Sequence, residues 1–224
     1  MSKDTKVIAI ADVKGGVGKT TTTMNIAALL ARRGYPVTVL DSDNTGGATL
    51  WLKYVIAQNK QLQAEAAKKG ETIPEYKLDF NVVPANLPQL DADWIRSQYD
   101  GWVLIDTPPS DNNMIRAAIV ACDLAIIPCQ PSVSDLTHAA ITFKDSLGKG
   151  VILLTRVKTN TRSAKEAIAS LDAQQIPQFE TVIREREFIR NMYGTNQIDN
   201  QDYASVTQEL IDYMNTVDNK GGAQ

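Results

Sequence analysis

Residues 14–21, with the sequence KGGVGKTT, constrain the fold of this chain more than any other segment. They follow the apolar, β-branched run 7–11, which is typical of a buried parallel strand, and they precede a helical pattern over residues 19–33. Glycine-rich backbone between a strand and a helix presents several N–H groups to one point, where an anion can bind. The order of these three features predicts a phosphate-binding loop that opens the first helix.

The residue types inside the loop favour a nucleotide site over a simple turn. Gly18, Lys19 and Thr20 complete the pattern G-x-x-x-x-G-K-[ST], although Val13 occupies its first glycine position. In such loops the lysine reaches the β- and γ-phosphates, and the hydroxyl group ligates Mg²⁺. A turn without a ligand needs one or two glycines, but neither two lysines nor two threonines. We therefore predict nucleotide contacts from the whole loop: Lys14, Gly15, Gly16, Val17, Gly18, Lys19, Thr20 and Thr21.

Short apolar runs alternate with helical patterns along the chain. After the first strand, apolar runs predict strands at 37–40, 80–83, 102–105, 124–127 and 151–154, with a weaker one at 181–183. Helical patterns cover residues 19–33, 47–69, 87–98, 111–121, 133–147, 161–174, 185–193 and 203–217. This alternation predicts an α/β fold, with a doubly wound, mainly parallel β-sheet and helices on both faces.

Length and composition limit the remaining possibilities. The 224 residues suffice for one domain, which we place at residues 1–217, followed by a polar tail at 218–224 that we expect to fray. No apolar run approaches the ~20 residues that cross a bilayer, and the polar N-terminus indicates no signal peptide. Cys122 and Cys129 lack the spacing of metal ligands, and His138 has no second ligand nearby in sequence. We expect a cytoplasmic protein with two core thiols.

Carboxylates follow two of the predicted strands, at the sheet edge where ligands of parallel sheets bind. Asp41 and Asp43 come after the second strand, and Asp106 follows the run 102–105. Mg²⁺ in nucleotide sites takes one or two carboxylates together with phosphate oxygens and waters, which suits Asp106. Asp41 and Asp43 share one side of an extended segment, so one of them is expected to orient an attacking water. Each carboxylate alone could instead cap the following helix.

The net charge of −3 argues at first against a nucleic-acid partner, but charge distribution matters more than the sum. Basic residues cluster late in the chain, whereas acidic residues gather in the middle and near the C-terminal end. From composition alone, a solvated surface of mixed charge is the favoured interpretation. The cluster consists of Arg156, Lys158, Arg162, Lys165, Arg184, Arg186 and Arg190.

The loop and the two acidic strand ends, in this order, resemble those of the ParA/MinD group of deviant Walker P-loop ATPases. Within that group the chain is most similar to the small ParA/ParF-like plasmid partition ATPases, which lack an N-terminal DNA-binding domain. The resemblance runs from residue 7 to about residue 214 and is most specific at 14–21, 37–43 and 103–109. The chain departs from the family at Asn44-Thr45, where Pro-Gln is usual, and at Asp12, where many relatives carry Asn.

The resemblance implies a slow ATPase that binds ATP or ADP with Mg²⁺. Lys19 and the loop amides would hold the phosphates, Thr21 would contact the α-phosphate, and Arg156 would add a nucleotide contact. Thr20 would ligate Mg²⁺ directly and Asp106 would support the metal through water. In the remaining implied roles, Asp41 would assist near the metal and Asp43 would orient water.

The resemblance also implies that ATP brings two subunits together as a homodimer. Lys14 would then cross the interface to the partner's nucleotide, as an arginine finger does. The dimer would bind DNA non-specifically, associate with the nucleoid and respond to a ParB-like protein that stimulates hydrolysis. We expect two copies of one basic face to act together on DNA. That face would comprise Arg184, Arg186, Arg190, Arg156, Lys158 and Arg162.

Other functions use the same kind of loop. A MinD-type membrane protein needs a basic amphipathic C-terminal helix, but residues 203–217 contain Glu209 and Asp212 and no lysine or arginine. Cys122 and Cys129 do not offer the cysteine pattern of the nitrogenase-reductase type. An ATPase that positions a protein assembly remains open, because its core would look the same. A metabolic ligase or kinase would require an acceptor pocket, which the sequence does not reveal.

Overall fold

The computed structural model describes residues 5–196, 198 and 201–221, and these contain one six-stranded sheet. Its strands are β1 (Thr5–Ile10), β2 (Val37–Asp41), β3 (Asn81–Pro84), β4 (Gly101–Asp106), β5 (Leu124–Cys129) and β6 (Gly150–Leu154). The spatial order is β3-β2-β4-β1-β5-β6, and every neighbouring pair is parallel. β1 therefore lies inside the sheet, and the loop after it opens at the carboxyl edge between β4 and β5.

The described residues also form eight α-helices and one 3₁₀ turn. They are α1 (Lys19–Arg32), α2 (Gly47–Lys68), the 3₁₀ turn Leu87–Gln89, α3 (Ala92–Gln98), α4 (Asn112–Ala121), α5 (Val133–Lys144), α6 (Arg162–Ala173), α7 (Glu187–Asn191) and α8 (Gln201–Gly221). α1, α2 and α8 contribute to the hydrophobic cluster on one face of the sheet, and α3 to α6 contribute to the clusters on the other. The predicted doubly wound fold is confirmed.

The strands are apolar on both faces because each face is covered by helices. Ile8 and Ile10 belong to the cluster with α1 and α8, whereas Val7 and Ala9 belong to the cluster with α4. These four side chains are fully buried, as the alternation of side chains along a strand requires. The base of the predicted loop is thus fixed by a strand that has packing on both sides.

The weak strand predicted at 181–183 is wrong. The segment lies beside the end of β6, where the N–H of Ile183 donates to Leu154 O at 2.8 Å, but it forms no ladder, and the isolated bridges are made by the flanking residues Gln178 and Arg184. The Glu209 carboxylate of α8 accepts the N–H groups of Glu180 and Thr181 at 2.8 and 3.1 Å. A side chain therefore satisfies backbone donors that a seventh strand would have used.

Two helical predictions also differ from the structure. The pattern at 87–98 is divided between the 3₁₀ turn and α3, because Asp91 is extended and caps α3 by accepting the N–H of Trp94 at 2.9 Å. α8 continues to Gly221, into the segment where we expected a polar tail, and residues 222–224 lie outside the described residues. None of the described helices combines the length and apolarity needed to cross a membrane.

Candidate functional site

The loop between β1 and α1 is held by polar side chains that follow two other strands. Gly16 and Gly18 have φ angles of +76° and +102°, in the left-handed region that glycine adopts readily. Gln130, after β5, donates from Nε2 to Gly16 O at 3.2 Å, and Thr155, after β6, donates from Oγ1 to Val17 O at 2.8 Å. Because both carbonyl groups are bound from outside the loop, its backbone is oriented before any anion binds.

The Lys19 side chain lies inside this loop and is buried. Its Nζ donates to Lys14 O at 2.8 Å. Burial lowers the pKa of Lys19, whereas the negative charges of Asp12 and Asp106 act to raise it. An ammonium group has three donors, so Lys19 retains hydrogen-bonding capacity for anionic oxygens. This donor fits the phosphate groups of a nucleotide.

Asp106 and two threonines of α1 form a buried polar cluster beside the loop. Thr20 Oγ1 donates to Asp106 Oδ2 at 2.8 Å, and Thr23 Oγ1 donates to Asp106 Oδ1 at 3.2 Å. Burial raises the pKa of Asp106 to about 7, the hydroxyl donors act against that shift, and the charge of Asp41 adds to it. Hydroxyl and carboxylate oxygens are the ligands that Mg²⁺ prefers, so this cluster fits the metal of a magnesium nucleotide.

Asp41 and Asp43 organise the turn that leads from β2 into α2. Asp41 is the sheet partner of Asp106, and its carboxylate accepts the N–H groups of Asp43 at 3.2 Å and Thr49 at 2.6 Å. Asp43 Oδ1 accepts both the N–H and the hydroxyl of Thr45, at 2.8 and 2.7 Å. Thr45 therefore tethers this turn by hydrogen bonds. In the ParA/MinD group that the sequence resembles, a proline at the position of Asn44 usually stiffens it. Both carboxylates have structural partners, and their predicted roles stay predictions.

Gly47, the first residue of α2, lies directly against the buried cluster. A Cβ atom at this position would be 2.6 Å from Thr20 Oγ1 and 3.4 Å from Asp106 Oδ2. Only glycine fits here without displacing the Thr20 hydroxyl. The N-terminus of α2 thus closes one side of the candidate metal site, and any displacement of α2 changes the space around Thr20.

Lys14 is bound by other residues of the same chain at both its backbone and its side chain. Its N–H donates to Asp12 Oδ1 at 2.9 Å, and its Nζ lies 2.6 Å from Asp135 Oδ1. Asp135 is buried in the first turn of α5, whereas the Lys14 side chain is 32% exposed. Asp12 is fully buried, and its Oδ2 has no hydrogen-bond partner among the described residues. Burial raises the pKa of Asp12, and the hydrogen bond from the Lys14 N–H only partly offsets this shift.

A cleft of about 260 Å³ adjoins the loop at the start of α1. Its aromatic residues are Tyr193 and Tyr203, and Tyr203 Oη lies 3.0 Å from Thr22 Oγ1. Arg156, directly after Thr155, has a φ of +50° and faces this cleft. The cleft suits the nucleoside end of a nucleotide whose phosphates lie in the loop. Its lining also includes Val17, Gly18, Thr21, Thr155, Ile183, Arg184, Glu185, Arg186, Ile189 and Arg190.

Arg184 and Arg186, which we predicted on a DNA-binding face, share one buried carboxylate. Arg184 Nε donates to Asp202 Oδ1 at 3.0 Å, its Nη2 contacts the same oxygen, and its backbone N–H donates to Asp202 Oδ2 at 3.1 Å. Arg186 Nε lies 3.6 Å from Asp202 Oδ2. The Asp202 side chain is 4% exposed, so these arginines join the segment after β6 to the first turn of α8.

The other predicted DNA contacts differ in how strongly the fold holds them. Arg190 and Lys158 both pair with Glu185, Lys158 at 3.3 Å. Arg162 pairs with Glu166 one helical turn away at 2.6 Å and is 90% exposed. The structure therefore divides the predicted face into arginines beside the cleft and more exposed cations near α6. The predicted DNA contacts stay a prediction.

Sequence reasoning missed several residues that shape the site. Thr155 and Gln130 follow β6 and β5, so the rule that ligands bind after parallel strands would have identified them. Asp135, Gly47 and Tyr193 gave no such signal, because their contacts join elements far apart in sequence. The predicted residues of the loop, with Asp41 and Asp106, do meet at one edge of the sheet. Their assigned roles stay predictions.

Comparison with known proteins identifies a family and relatives that match between about half and most of the chain. The family model described as the CobQ/CobB/MinD/ParA nucleotide binding domain matches residues 8–208. The maintenance of carboxysome distribution protein A of Gloeobacter kilaueensis is 31% identical over 189 residues, covering 80% of this chain and 76% of that protein. The chromosome-partitioning ATPase Soj of Thermus thermophilus is 33% identical over 135 residues, covering 55% of this chain and 54% of Soj.

A solved structure shares the fold. It is a Borrelia burgdorferi B31 protein, described as a candidate plasmid partition protein and bound to AMPPNP. The TM-score is 0.68, with 22% identity over 95% of this chain and 99% of that one. At this identity the likeness concerns the architecture, which matches the parallel sheet and helices described above.

Proposed function

Because the chain belongs to the CobQ/CobB/MinD/ParA family and is a ParA/MinD-type P-loop ATPase, we propose that it drives DNA partition as an ATP-dependent dimerising switch. The family is one of nucleotide-binding ATPases. We propose plasmid or chromosomal DNA as the cargo. The cycle would consist of ATP binding, dimerisation, non-specific DNA binding and hydrolysis stimulated by a ParB-like partner.

The observation that carries the proposal is the position of Lys19 and Thr20 between the loop backbone and Asp106. A buried ammonium group beside a row of loop N–H groups is suited to the phosphates of ATP. Next to this ammonium group lies the hydroxyl–carboxylate pair of Thr20 and Asp106, whose oxygens Oγ1 and Oδ2 are 2.8 Å apart. Mg²⁺, when bound with ATP there, would neutralise charge on the β- and γ-phosphates.

The residues of this chain have distinct tasks in the proposed hydrolysis. The loop amides and Lys19 hold the phosphates in place, and Thr21 contacts the α-phosphate. Thr20, which is hydrogen-bonded to Asp106, would hold Mg²⁺ directly, Asp106 of β4 would support the metal through water, and Asp41 of β2 would assist beside it. Asp43 orients the attacking water. Since Asp43 is tethered to Thr45, the placement of that carboxylate depends on the turn into α2.

Dimerisation requires a change at Lys14. In the subunit, Lys14 Nζ lies 2.6 Å from Asp135, whereas a contact in trans needs this ammonium at the partner's phosphates. Lys14 would exchange the carboxylate of Asp135 for the partner's phosphates, and this exchange would be favourable only when the partner carries the additional charge of a triphosphate. ATP therefore sets the assembled state, and hydrolysis followed by phosphate loss reverses it.

DNA binding by the dimer is supported by the exposed cations near α6. Lys158 and Arg162 are 71% and 90% exposed, so they can reach phosphates without loss of buried packing. Pairing two copies of a weak basic face raises the affinity for a polymer with many equivalent phosphates. On this proposal, a chain with a net charge of −3 would bind DNA only after dimerisation.

A second candidate function is the positioning of a protein assembly. The observation that favours it is the 31% identity to a carboxysome distribution protein over 80% of this chain. The ATPase core and the DNA contacts would be the same, and only the partner would differ. A partner that binds a specific DNA sequence would support partition, whereas a partner that is a subunit of a large assembly would support positioning.

Hydrolysis of ATP by purified protein, with and without duplex DNA, tests the enzymatic core of the proposal. We expect Lys19→Ala to abolish ATP binding, because it removes the buried phosphate donor. We expect Asp43→Ala to retain ATP binding and to lower the hydrolysis rate at least tenfold, in the range of a lost acid–base group. Unchanged hydrolysis in both variants would contradict the assignment of the site.

A further inference from the structure

Residues 192–196 join α1, α2 and the segment that follows α2. Asn25 of α1 donates to Met192 Sδ at 3.2 Å, and Trp51 of α2 donates from Nε1 to Thr195 O at 2.7 Å. Asn196 N–H donates to Tyr76 Oη at 2.9 Å, beyond the end of α2. We call residues 192–196 the strap, because they connect α1 with α2 on the same face of the sheet.

Tyr193 is the residue of the strap that faces both the cleft and α2. It lines the cleft beside Gly18 and Thr21, and its Oη donates to Gly47 O at 3.1 Å. Its ring packs against Trp51 with ring centroids 5.0 Å apart. One side chain thus touches the space next to the loop and the first residue of α2.

The neighbouring backbone leaves little freedom for the strap to shift alone. Gly194 has a φ of +75°, and a Cβ atom there would be 2.8 Å from Tyr54 Cβ. The Tyr193 and Tyr54 rings are in edge contact with their centroids 6.0 Å apart. Because α2 and the strap pack this closely, a displacement of one is transmitted to the other.

The position of Gly47 gives such a displacement a consequence at the metal end of the site. The Cα of Gly47 lies so close to Thr20 Oγ1 that a Cβ atom would be only 2.6 Å from that oxygen. Thr49, in the same first turn, donates its N–H to Asp41 at 2.6 Å. The carbonyl group that Tyr193 binds therefore belongs to the turn that borders Thr20 and Asp41.

We propose that Tyr193 is a positioning residue that couples occupation of the cleft by the nucleoside part of ATP to the placement of the α2 N-terminus beside Thr20. The inference rests on the proposed ATPase function, because it assigns the cleft to the nucleoside. A nucleoside in the cleft contacts the ring of Tyr193 and fixes its hydroxyl on Gly47 O. The first turn of α2 is then held where Asp41 and Asp43 act on the metal and the water.

The test compares Tyr193→Phe with Tyr54→Phe. The first variant loses the hydroxyl that binds Gly47 O and keeps the aromatic ring. Tyr54 lies in the same aromatic cluster, and its hydroxyl makes no hydrogen bond within the described residues, so its loss is a matched control. Steady-state hydrolysis of ATP is measured for each protein in the presence of Mg²⁺. Hydrogen exchange of the backbone amides is measured without nucleotide and with Mg²⁺ and ATP or a slowly hydrolysed analogue.

We expect Tyr193→Phe to lower kcat about fivefold, the factor that loss of one neutral hydrogen bond gives, with KM for ATP changed less than about twofold. ATP should still protect residues 184–196 from exchange in this variant, but its protection of residues 43–52 should be lost. Tyr54→Phe should match the unsubstituted protein in both readouts. A merely structural role of Tyr193 would affect both segments together.

Two results would overturn the inference while leaving the proposed function intact. One is that Tyr193→Phe keeps both the kcat of the unsubstituted protein and its ATP protection of residues 43–52. The other is loss of protection in both segments with a raised KM, which would make Tyr193 a binding residue only. If the unsubstituted protein failed to bind ATP, the proposed function would fail and the inference with it.

Discussion

The ammonium group of Lys14 lies 2.6 Å from the carboxylate of Asp135 in the same subunit. This ion pair joins the loop after β1 to the first turn of α5, and its carboxylate is largely buried. The proposed trans contact requires Lys14 to leave Asp135. In the proposed cycle the intramolecular pair would therefore compete with dimerisation, and its strength would set how readily ATP assembles the dimer.

Replacement of Asp135 by asparagine should favour the ATP-bound dimer. The change removes the charge that holds Lys14, and a partly buried pair of this kind contributes about 1 kcal/mol. Because each of the two subunits would lose one pair, the dimer dissociation constant should fall about thirtyfold. Sedimentation velocity with a slowly hydrolysed ATP analogue measures this constant. Asp145→Asn, at the exposed end of α5, removes the same charge and should have no effect. Weaker dimerisation of Asp135→Asn would contradict the competition.

Replacement of Gly47 by alanine should impair Mg²⁺-dependent nucleotide binding without unfolding the protein. The added methyl group would lie 2.6 Å from Thr20 Oγ1 and would displace the hydroxyl. Stability should be kept, since alanine favours a helix by up to about 1 kcal/mol relative to glycine. Calorimetric titration with ADP, with and without Mg²⁺, should show that Mg²⁺ no longer increases affinity. Gln58→Ala, exposed on the same helix, serves as the control.

Replacement of Asp202 by asparagine should destabilise the protein by about 2 kcal/mol at neutral pH, in the range for hydrogen bonds to charged groups. Burial acts to raise the pKa of Asp202, but the side-chain and backbone hydrogen bonds of Arg184 outweigh it, so the pKa is lowered. The stabilisation is therefore fully present above the unfolded pKa of about 4 and is lost as pH falls through the folded value below it.

Urea unfolding of the Asp202 variant at several pH values checks this expectation. The difference from the unsubstituted protein should be constant above about pH 5 and should shrink in more acidic solution. Asp212→Asn, exposed on the same helix, should show a much smaller difference. A difference that grew as pH fell would mean that the carboxylate of Asp202 does not stabilise the fold.

Replacement of Lys158 and Arg162 by alanine should weaken DNA binding in the ATP state. Both side chains are largely exposed, so their loss should leave the unfolding free energy nearly unchanged. Each phosphate contact removed should lower the slope of log affinity against log salt by about 1. Fluorescence anisotropy of random-sequence duplex DNA measures both quantities, with Lys68→Ala/Lys69→Ala as the control. An unchanged salt slope would place the DNA-binding face elsewhere.

Arg184 and Arg186 are poorer probes of DNA binding than the sequence suggested. Both are bound to Asp202, whose side chain is buried, so alanine at Arg184 would remove charge-assisted hydrogen bonds that hold the fold together. A loss of DNA affinity in such a variant could come from lower stability of the fold as well as from a lost DNA contact. This is why exposure in the folded protein, rather than charge in the sequence, selects the residues to test.

Much of the fold could be predicted because its strands are short apolar runs buried on both faces. The strand prediction at 181–183 failed because this run lies at the edge of the sheet, where the Glu209 carboxylate accepts backbone N–H groups that a ladder would have used, and bridges form only at the flanking residues. The pattern at 87–98 was correctly helical in part, but periodicity did not reveal the cap at Asp91 that divides it. Both errors arise where side chains compete with backbone pairing.

The candidate site was predictable wherever function follows from position after a strand. The loop, Asp41 and Asp106 meet that condition, since parallel strands bring their carboxyl ends to one edge. Asp135 and Tyr193 do not, because nothing in the local sequence specifies an ion pair with Lys14 or a hydrogen bond to Gly47. Such contacts depend on how distant elements pack, which a single sequence does not encode in any local pattern.

The most direct test of the ATP-dependent switch is the affinity for random-sequence duplex DNA with ATP, ADP or a slowly hydrolysed ATP analogue, measured for the unsubstituted protein and for Lys14→Ala. We predict tight binding only with the triphosphates, and its loss in Lys14→Ala together with the dimer, while that variant still binds ATP as a monomer. Equal DNA affinity in all nucleotide states, or a Lys14→Ala variant that dimerises normally with ATP, would contradict the account.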